Sequence, residues 1–168
     1  MLYLDTAALV KLVRPELEST ALADWLDERA DQPWVSSALI EVELPRALRR
    51  VEPELLPDVP PVIARVARHE IDDTVRSTAA SYPDPNLRSL DAIHLATAKG
   101  VFGPHLTAFV SYDQRLLAAA AAAGLPTASP GRAAHTPVDE PQDALQDPRD
   151  ALGNPRSSGC STCATNRA

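Results

Sequence analysis

Short apolar runs alternate along this chain with longer amphipathic stretches, and that alternation narrows the available folds more than any other feature. Leu2–Leu4 is the first run, and it stops at Asp5-Thr6, a pair suited to capping a helix. Ala7–Val13 reads as that helix, closed by Arg14-Pro15, and Ser19–Arg29 as an amphipathic one with Leu22, Trp25 and Leu26 on one face. Trp34-Val35 reads as a second strand. Ser36-Ser37 are then expected to cap a helix running through Arg50, bent at Pro45, whose ring opposes the carbonyl of Glu41. After a proline-rich connection (Pro53, Pro57, Pro60, Pro61) the pattern predicts a helix over Val62–Arg68, a third strand at Glu70–Asp72 and a helix over Thr74–Tyr82. Pro83 and Pro85 break the chain before a helix at Ser89–Lys99. A fourth strand follows at Leu106–Val110, then an alanine-rich helix Gln114–Ala123 closed by Gly124, and a fifth strand at Pro126–Ala128. Strands and helices in this succession imply a three-layer α/β/α fold around a parallel sheet of four or five strands.

The pattern ends near Arg132. Residues 1–131 therefore read as one domain. Residues 132–168, rich in Pro, Asp, Gln and Ser, read as a disordered tail with little to bury. The chain has 168 residues, 45% of them apolar, enough for a core without disulfides. Both cysteines, Cys160 and Cys163, fall in the tail, where a lone CxxC reads as two exposed thiols rather than a redox pair or half a zinc site. The opening MLYLDTAALVKLV carries Asp5 and Lys11, lacks a basic leader and is too short to span a bilayer, so a soluble, cytoplasmic protein is expected. A net charge of −7 counts against coating nucleic acid by phosphate neutralisation, unless some of the acids hold divalent cations.

Four acids invite that reading. Ligands of open parallel α/β sheets bind at the carboxyl ends of the strands, where the order reverses. If the strand order is 3-2-1-4-5, Asp5 after the first strand and Asp113 after the fourth share that crevice. Asp91 lies in the first turn of a helix among Ala92, Ile93, Leu95 and Ala96. Glu43 lies about two turns into its helix, where a long side chain leaning toward the N-terminus reaches back to the sheet edge. Singly, each has an ordinary explanation: a cap, a dipole partner or a solvated surface residue. Together they repel one another unless protonated or bound to a cation, and hard oxygen ligands select Mg²⁺ or Mn²⁺. Helical phase does not choose between Glu41 and Glu43, which flank the stripe Ile40, Leu44, Ala47, Leu48 and Val51 on opposite edges.

The segments YLDTAALVKL, SSALIEVELPRALRR, LDAIHLATA and FVSYDQRLLAAAAAAGL resemble the four blocks of the PIN-domain family, and specifically its VapC-type toxins. They stand in the family's order and cover nearly all of residues 1–131. The resemblance implies a PIN-like sheet of order 3-2-1-4-5, and that Asp5, Glu43, Asp91 and Asp113 are the catalytic, metal-holding set. It prefers Glu43 over Glu41 because Glu43 falls six residues after Ser37. It assigns supporting roles to Thr6 and Ser111. His94 is left between a contact to substrate or metal-bound water and a packed histidine; Arg46, Arg49 and Arg50 are left between phosphate contacts and a solvated helix face. Some relatives carry a further acid two residues after the last Asp, where this chain has Arg115. The implied activity is Mg²⁺- or Mn²⁺-dependent hydrolysis of RNA phosphodiesters, with one or two ions, about 4 Å apart if two. Implied partners are a tRNA or rRNA substrate, a VapB-type antitoxin and a second copy of the chain, with no membrane. Three other kinds of protein also gather acids at strand ends or share this scaffold. A phosphoacceptor receiver domain wants paired acids and a late lysine, whereas Asp5 stands alone and no lysine follows Lys99. A HAD-type phosphatase wants a second Asp where Ala7 stands. An inert PIN scaffold that binds RNA or protein without cutting is kept open by the acidic balance and by Arg115.

Overall fold

Buried on both faces, the first strand runs through the middle of the molecule. The computed structural model describes residues 1–132; the expectations placed on the tail, including Cys160 and Cys163, lie outside the described residues. Strand β1 (Leu2–Leu4) is followed by α1 (Thr6–Val13), α2 (Ser19–Asp27), β2 (Trp34–Ser37) and α3 (Ile40–Val51). A 3₁₀ segment, Pro53–Asp58, leads into α4 (Val59–Ala64), β3 (Val66–His69), α5 (Asp73–Ser81) and α6 (Ser89–Thr97). A π turn (Ala98–Phe102) and a 3₁₀ turn (Gly103–His105) precede β4 (Ala108–Val110), α7 (Gln114–Ala122) and β5 (Thr127–Ala128). The five strands pair in parallel in the order β3-β2-β1-β4-β5, the order expected of a PIN-like sheet.

Alternation along β1 divides the core. Leu2 and Leu4 point into one layer with Leu9, Leu22, Leu26, Leu44, Leu48 and Val110, supplied by α1, α2, α3 and β4. Tyr3 points into the other, with Val35, Leu95, Phe109, Leu116 and Ala120, under α6 and α7. A strand covered on both faces must be apolar throughout, which is why Leu-Tyr-Leu shows no polar alternation.

Three expected boundaries are corrected. The third strand is Val66–His69, not Glu70–Asp72. Pro60 and Pro61 occupy the start of α4, where a missing N–H costs nothing, so that helix begins and ends earlier than Val62–Arg68 and frees Val66 to pair with Trp34. Asp72 is instead the N-cap of α5, its carboxylate accepting the Val75 N–H at 2.8 Å. Neither Ser36 nor Ser37 is the N-cap of α3, although Ser37 Oγ accepts the Leu39 N–H at 3.3 Å just before it. Both are buried residues of β2, and Ser36 Oγ donates to the Leu4 carbonyl at 2.6 Å, tying β2 to β1. Helix α3 starts at Ile40 with no side-chain cap and carries Pro45 inside it. Among the described residues no helix is long and apolar enough to cross a membrane.

Candidate active site

The carboxyl end of β1 is where the polar interior of the molecule begins. Asp5 leaves the strand with its N–H donated to the Val110 carbonyl of β4 (3.2 Å) and becomes the N-cap of α1. Its Oδ1 accepts the Ala8 N–H at 2.8 Å and its Oδ2 accepts the Ser111 hydroxyl at 2.5 Å. The residue is 3% exposed. Burial pushes its carboxyl up to about 6; the Ser111 hydrogen bond, the nearby His94 and the Ala8 amide oppose that rise, and the Glu43 charge adds to it. Ser111, fully buried just beyond β4, also accepts the Asp113 N–H at 3.1 Å, so one hydroxyl bridges two of the candidate acids.

Asp113 caps α7, Oδ1 taking the Arg115 and Leu116 amides at 2.8 and 3.2 Å. The Arg115 guanidinium stands 3.8 Å from Oδ2, so the position that some relatives fill with an acid here presents a cation to Asp113. Asp91, in the first turn of α6, is partly buried, and its Oδ2 is sealed from solvent with no hydrogen-bond partner. Burial first, then the Asp113 charge, hold its carboxyl above the ordinary range.

Geometry distinguishes the two glutamates of α3. Glu41 is exposed and pairs with Arg68 of β3 at 2.6 Å. Glu43 turns the other way: its Oε2 accepts the Thr6 hydroxyl at 2.5 Å and the His94 Nε2 at 2.9 Å. Burial pushes the Glu43 carboxyl up, but the hydrogen bonds from His94 and Thr6 outweigh it and lower its pKa.

The four acids thus stand as two electrostatically linked pairs, Asp5 with Glu43 and Asp91 with Asp113, and His94 is hydrogen-bonded to Glu43 of the first pair. Among the described residues no three His, Cys, Asp or Glu side chains form a ready-made metal cage. The donor chemistry nevertheless fits a hard divalent cation: carboxylate oxygens throughout, two of the four groups with raised pKa values, and one buried oxygen left without a partner.

His94 is turned into the protein rather than toward solvent. It is 2% exposed, and both ring nitrogens are engaged, Nδ1 with the Tyr3 hydroxyl at 2.8 Å and Nε2 with Glu43. Arg46 is exposed, three residues beyond Glu43 on α3. Arg49 lies instead on the Glu41 edge, lining a groove with Glu41, Pro45 and Leu56, and so does not join the acids. Tyr3 was not singled out from the sequence. The available signal was a phenol inside an otherwise aliphatic buried strand, which needs a partner for its hydroxyl.

The PIN-domain profile matches residues 2–122. The chain is 62% identical over 135 residues to Ribonuclease VapC35 of Mycobacterium tuberculosis, a match covering 79% of this chain and 99% of that protein. It is 39% identical over 141 residues to Ribonuclease VapC47 of the same species, covering 78% and 98% respectively. The crystal structure of Mycobacterium tuberculosis VapC20, described as a sarcin–ricin loop cleaving toxin, superposes with a TM-score of 0.57 over 71% of this chain and 95% of that one; at 12% identity the likeness is one of fold.

Proposed function

The chain belongs to the PIN-domain family, in its VapC-type branch, and on that premise we propose that it is a divalent-cation-dependent endoribonuclease, the toxin of a toxin–antitoxin pair. What supports the reading is a chain of pairwise links around the carboxyl ends of β1 and β4: Ser111 bridges Asp5 and the Asp113 amide, the Glu43 charge acts on Asp5, and the Asp113 charge acts on Asp91, whose Oδ2 is buried and unpartnered. These four side chains would hold Mg²⁺ or Mn²⁺. A cation held there supplies Lewis acidity toward a phosphoryl oxygen and a water of lowered pKa. The protein's own part is to keep the ligands aimed. The Ser111 hydroxyl and Ala8 amide fix both oxygens of Asp5, and Thr6 and His94 fix Oε2 of Glu43. Arg46, exposed beyond Glu43, is the basic side chain of α3 best situated to meet a phosphate.

The substrate we propose is a structured RNA of the tRNA or rRNA class. An acidic protein approaches such a polyanion only once its carboxylates are neutralised, so cation loading precedes RNA binding in this scheme. A VapB-type antitoxin that covers the acids, pairing of two copies of the chain, and action in the cytoplasm complete the reading. An inert scaffold that binds without cutting is the competing one, and the Arg115 charge beside Asp113 is the observation in its favour. One experiment separates them. Full-length protein is titrated with Mn²⁺ by calorimetry and incubated with total tRNA and rRNA, with Mn²⁺ or with EDTA. Mn²⁺ binding together with cleavage that EDTA stops supports the nuclease; cleavage undiminished in EDTA overturns the cation's role, and RNA binding without cleavage supports the scaffold.

A further inference from the structure

His94 is a buried polar group that the four acids alone do not explain. It spans two partners on opposite sides of its ring, and what each partner can do dictates where the hydrogens lie. Glu43 Oε2 is an acceptor, since it also takes the Thr6 hydroxyl, so the hydrogen between it and the imidazole sits on Nε2. On the other side, Tyr3 Oη accepts the backbone N–H of Ser37 at 3.2 Å, and a backbone amide can only donate. In a neutral ring with its hydrogen on Nε2, Nδ1 is a lone-pair acceptor, so the phenol's hydrogen is the one that meets it, 2.8 Å away. The Tyr3 ring is held in place: it stacks on Phe109 with centroids 5.0 Å apart and planes 8° from parallel, and the residue is fully buried.

We propose that Tyr3 and His94 form a positioning relay for Glu43, in which Ser37 N–H donates to Tyr3 Oη, Tyr3 Oη–H to His94 Nδ1, and His94 Nε2–H to Glu43 Oε2. The relay crosses β2, β1, α6 and α3, so the orientation of a half-buried glutamate is tied to the most rigid part of the sheet. Both hydrogen bonds to Glu43 fall on Oε2, which leaves Oε1 as the oxygen free for a cation. Neither Tyr3 nor His94 touches the reacting atoms; they act by fixing the tautomer of the ring and, through it, the carboxylate. The hydrogen placement stands independently of the nuclease reading, whereas its consequence for cation binding rests on it.

The test has two arms, both on the full-length chain. With ¹⁵N-labelled histidine, long-range ¹H–¹⁵N correlation near neutral pH reads the tautomer of the cation-free protein, the His94 signals being assigned by their loss in His94→Gln. The relay requires hydrogen on Nε2 and none on Nδ1; an Nδ1–H tautomer or a doubly protonated ring overturns it. In the second arm, calorimetry measures Mn²⁺ affinity, and circular dichroism checks that each variant is folded. His94→Ala should weaken Mn²⁺ by roughly 10–100-fold, and Tyr3→Phe, which keeps the stacked ring, by about tenfold. His94→Gln, whose amide N–H can replace Nε2–H, should recover part of the loss. Wild-type affinity in both His94→Ala and Tyr3→Phe overturns the relay while leaving the cation site standing. If wild-type protein binds no Mn²⁺, the cation reading fails and the tautomer spectrum alone decides the relay.

Discussion

The Ser111 hydroxyl donates to Asp5 Oδ2 at 2.5 Å, joining residues 106 positions apart at the carboxyl ends of two neighbouring strands. The bond closes the crevice of the sheet at the point where the strand order reverses. It also holds a carboxylate that burial alone would protonate more readily, because a donated hydrogen bond favours the charged form. The most exacting tests of the site therefore bear on Asp5 and its partners.

Asp5→Asn should abolish RNA cleavage and leave the fold in place. Asn is as good an N-cap as Asp, so α1 keeps its first-turn hydrogen bond, and the variant should unfold at no lower temperature than wild type near neutral pH. Loss of a supporting partner costs roughly 10–100-fold, so loss of a ligand should exceed about 100-fold. Asp91→Asn is expected to behave alike. Cleavage assays with Mn²⁺ beside circular-dichroism melts read both quantities, and retained cleavage in both variants would remove these acids from the mechanism.

Stability of the cation-free protein should carry an Asp5 signature in pH. Its folded-state carboxyl titrates at about 6 against an ordinary value of 3.8, so between those values the folded state binds more protons than the unfolded one. The sign follows: the contribution is fully present below about 3.8 and is lost as pH rises toward 6. At about 1.4 kcal/mol per unit the loss amounts to roughly 3 kcal/mol. Asp91 shifts the same way and Glu43 the opposite way, so the measurement is the difference between wild type and Asp5→Asn in urea unfolding across pH 4 to 7. Parallel curves would contradict it.

Ser111→Ala removes a donor from buried Asp5 and an acceptor from the Asp113 amide. A buried group left unsatisfied costs about 1–3 kcal/mol, and the Asp5 carboxyl should rise further once the hydroxyl that lowers it is gone. Denaturant unfolding gives the first quantity and the pH series the second. An unchanged unfolding midpoint would mean that the hydroxyl contributes nothing to holding Asp5.

Gly131→Ala should destabilise the last described turn. Gly131 has φ +81°, a left-handed conformation that costs an L-residue about 1–2 kcal/mol, and an added Cβ would stand 2.7 Å from the Ala21 Cβ. That turn anchors Tyr112, whose hydroxyl donates to the Pro130 carbonyl and whose own carbonyl accepts from Arg132, both at 2.8 Å. Gly100→Ala, with nothing within 4 Å of its added Cβ, is the control. Equal melting temperatures for the two variants would refute the steric argument.

The three layers were legible in the sequence because they rest on local signals, namely short continuous apolar runs, helical stripes, and Asp-Thr or Gly at element ends, whereas the strand order came with the family resemblance. The third strand was misplaced because Pro60 and Pro61 read as connection, whereas at the start of α4 they are favourable. The serines of β2 were misread for a related reason. Ser-Ser before a helix is a capping signal, but here the Ser36 hydroxyl finds a carbonyl on the neighbouring strand.

What the sequence determined by itself was an α/β chain with acids at the ends of its strands and the first turns of its helices, since strand and helix periodicity are properties of neighbouring residues. Which acid is held, and by what, only the tertiary structure decided. Arg68 from β3 takes Glu41, and His94 from α6, itself held by Tyr3 of β1, takes Glu43. Those partners are tens of residues away along the chain. Hydrogen bonds and ion pairs act over a few ångströms of space, so no local pattern records them until the sheet has brought its strands side by side.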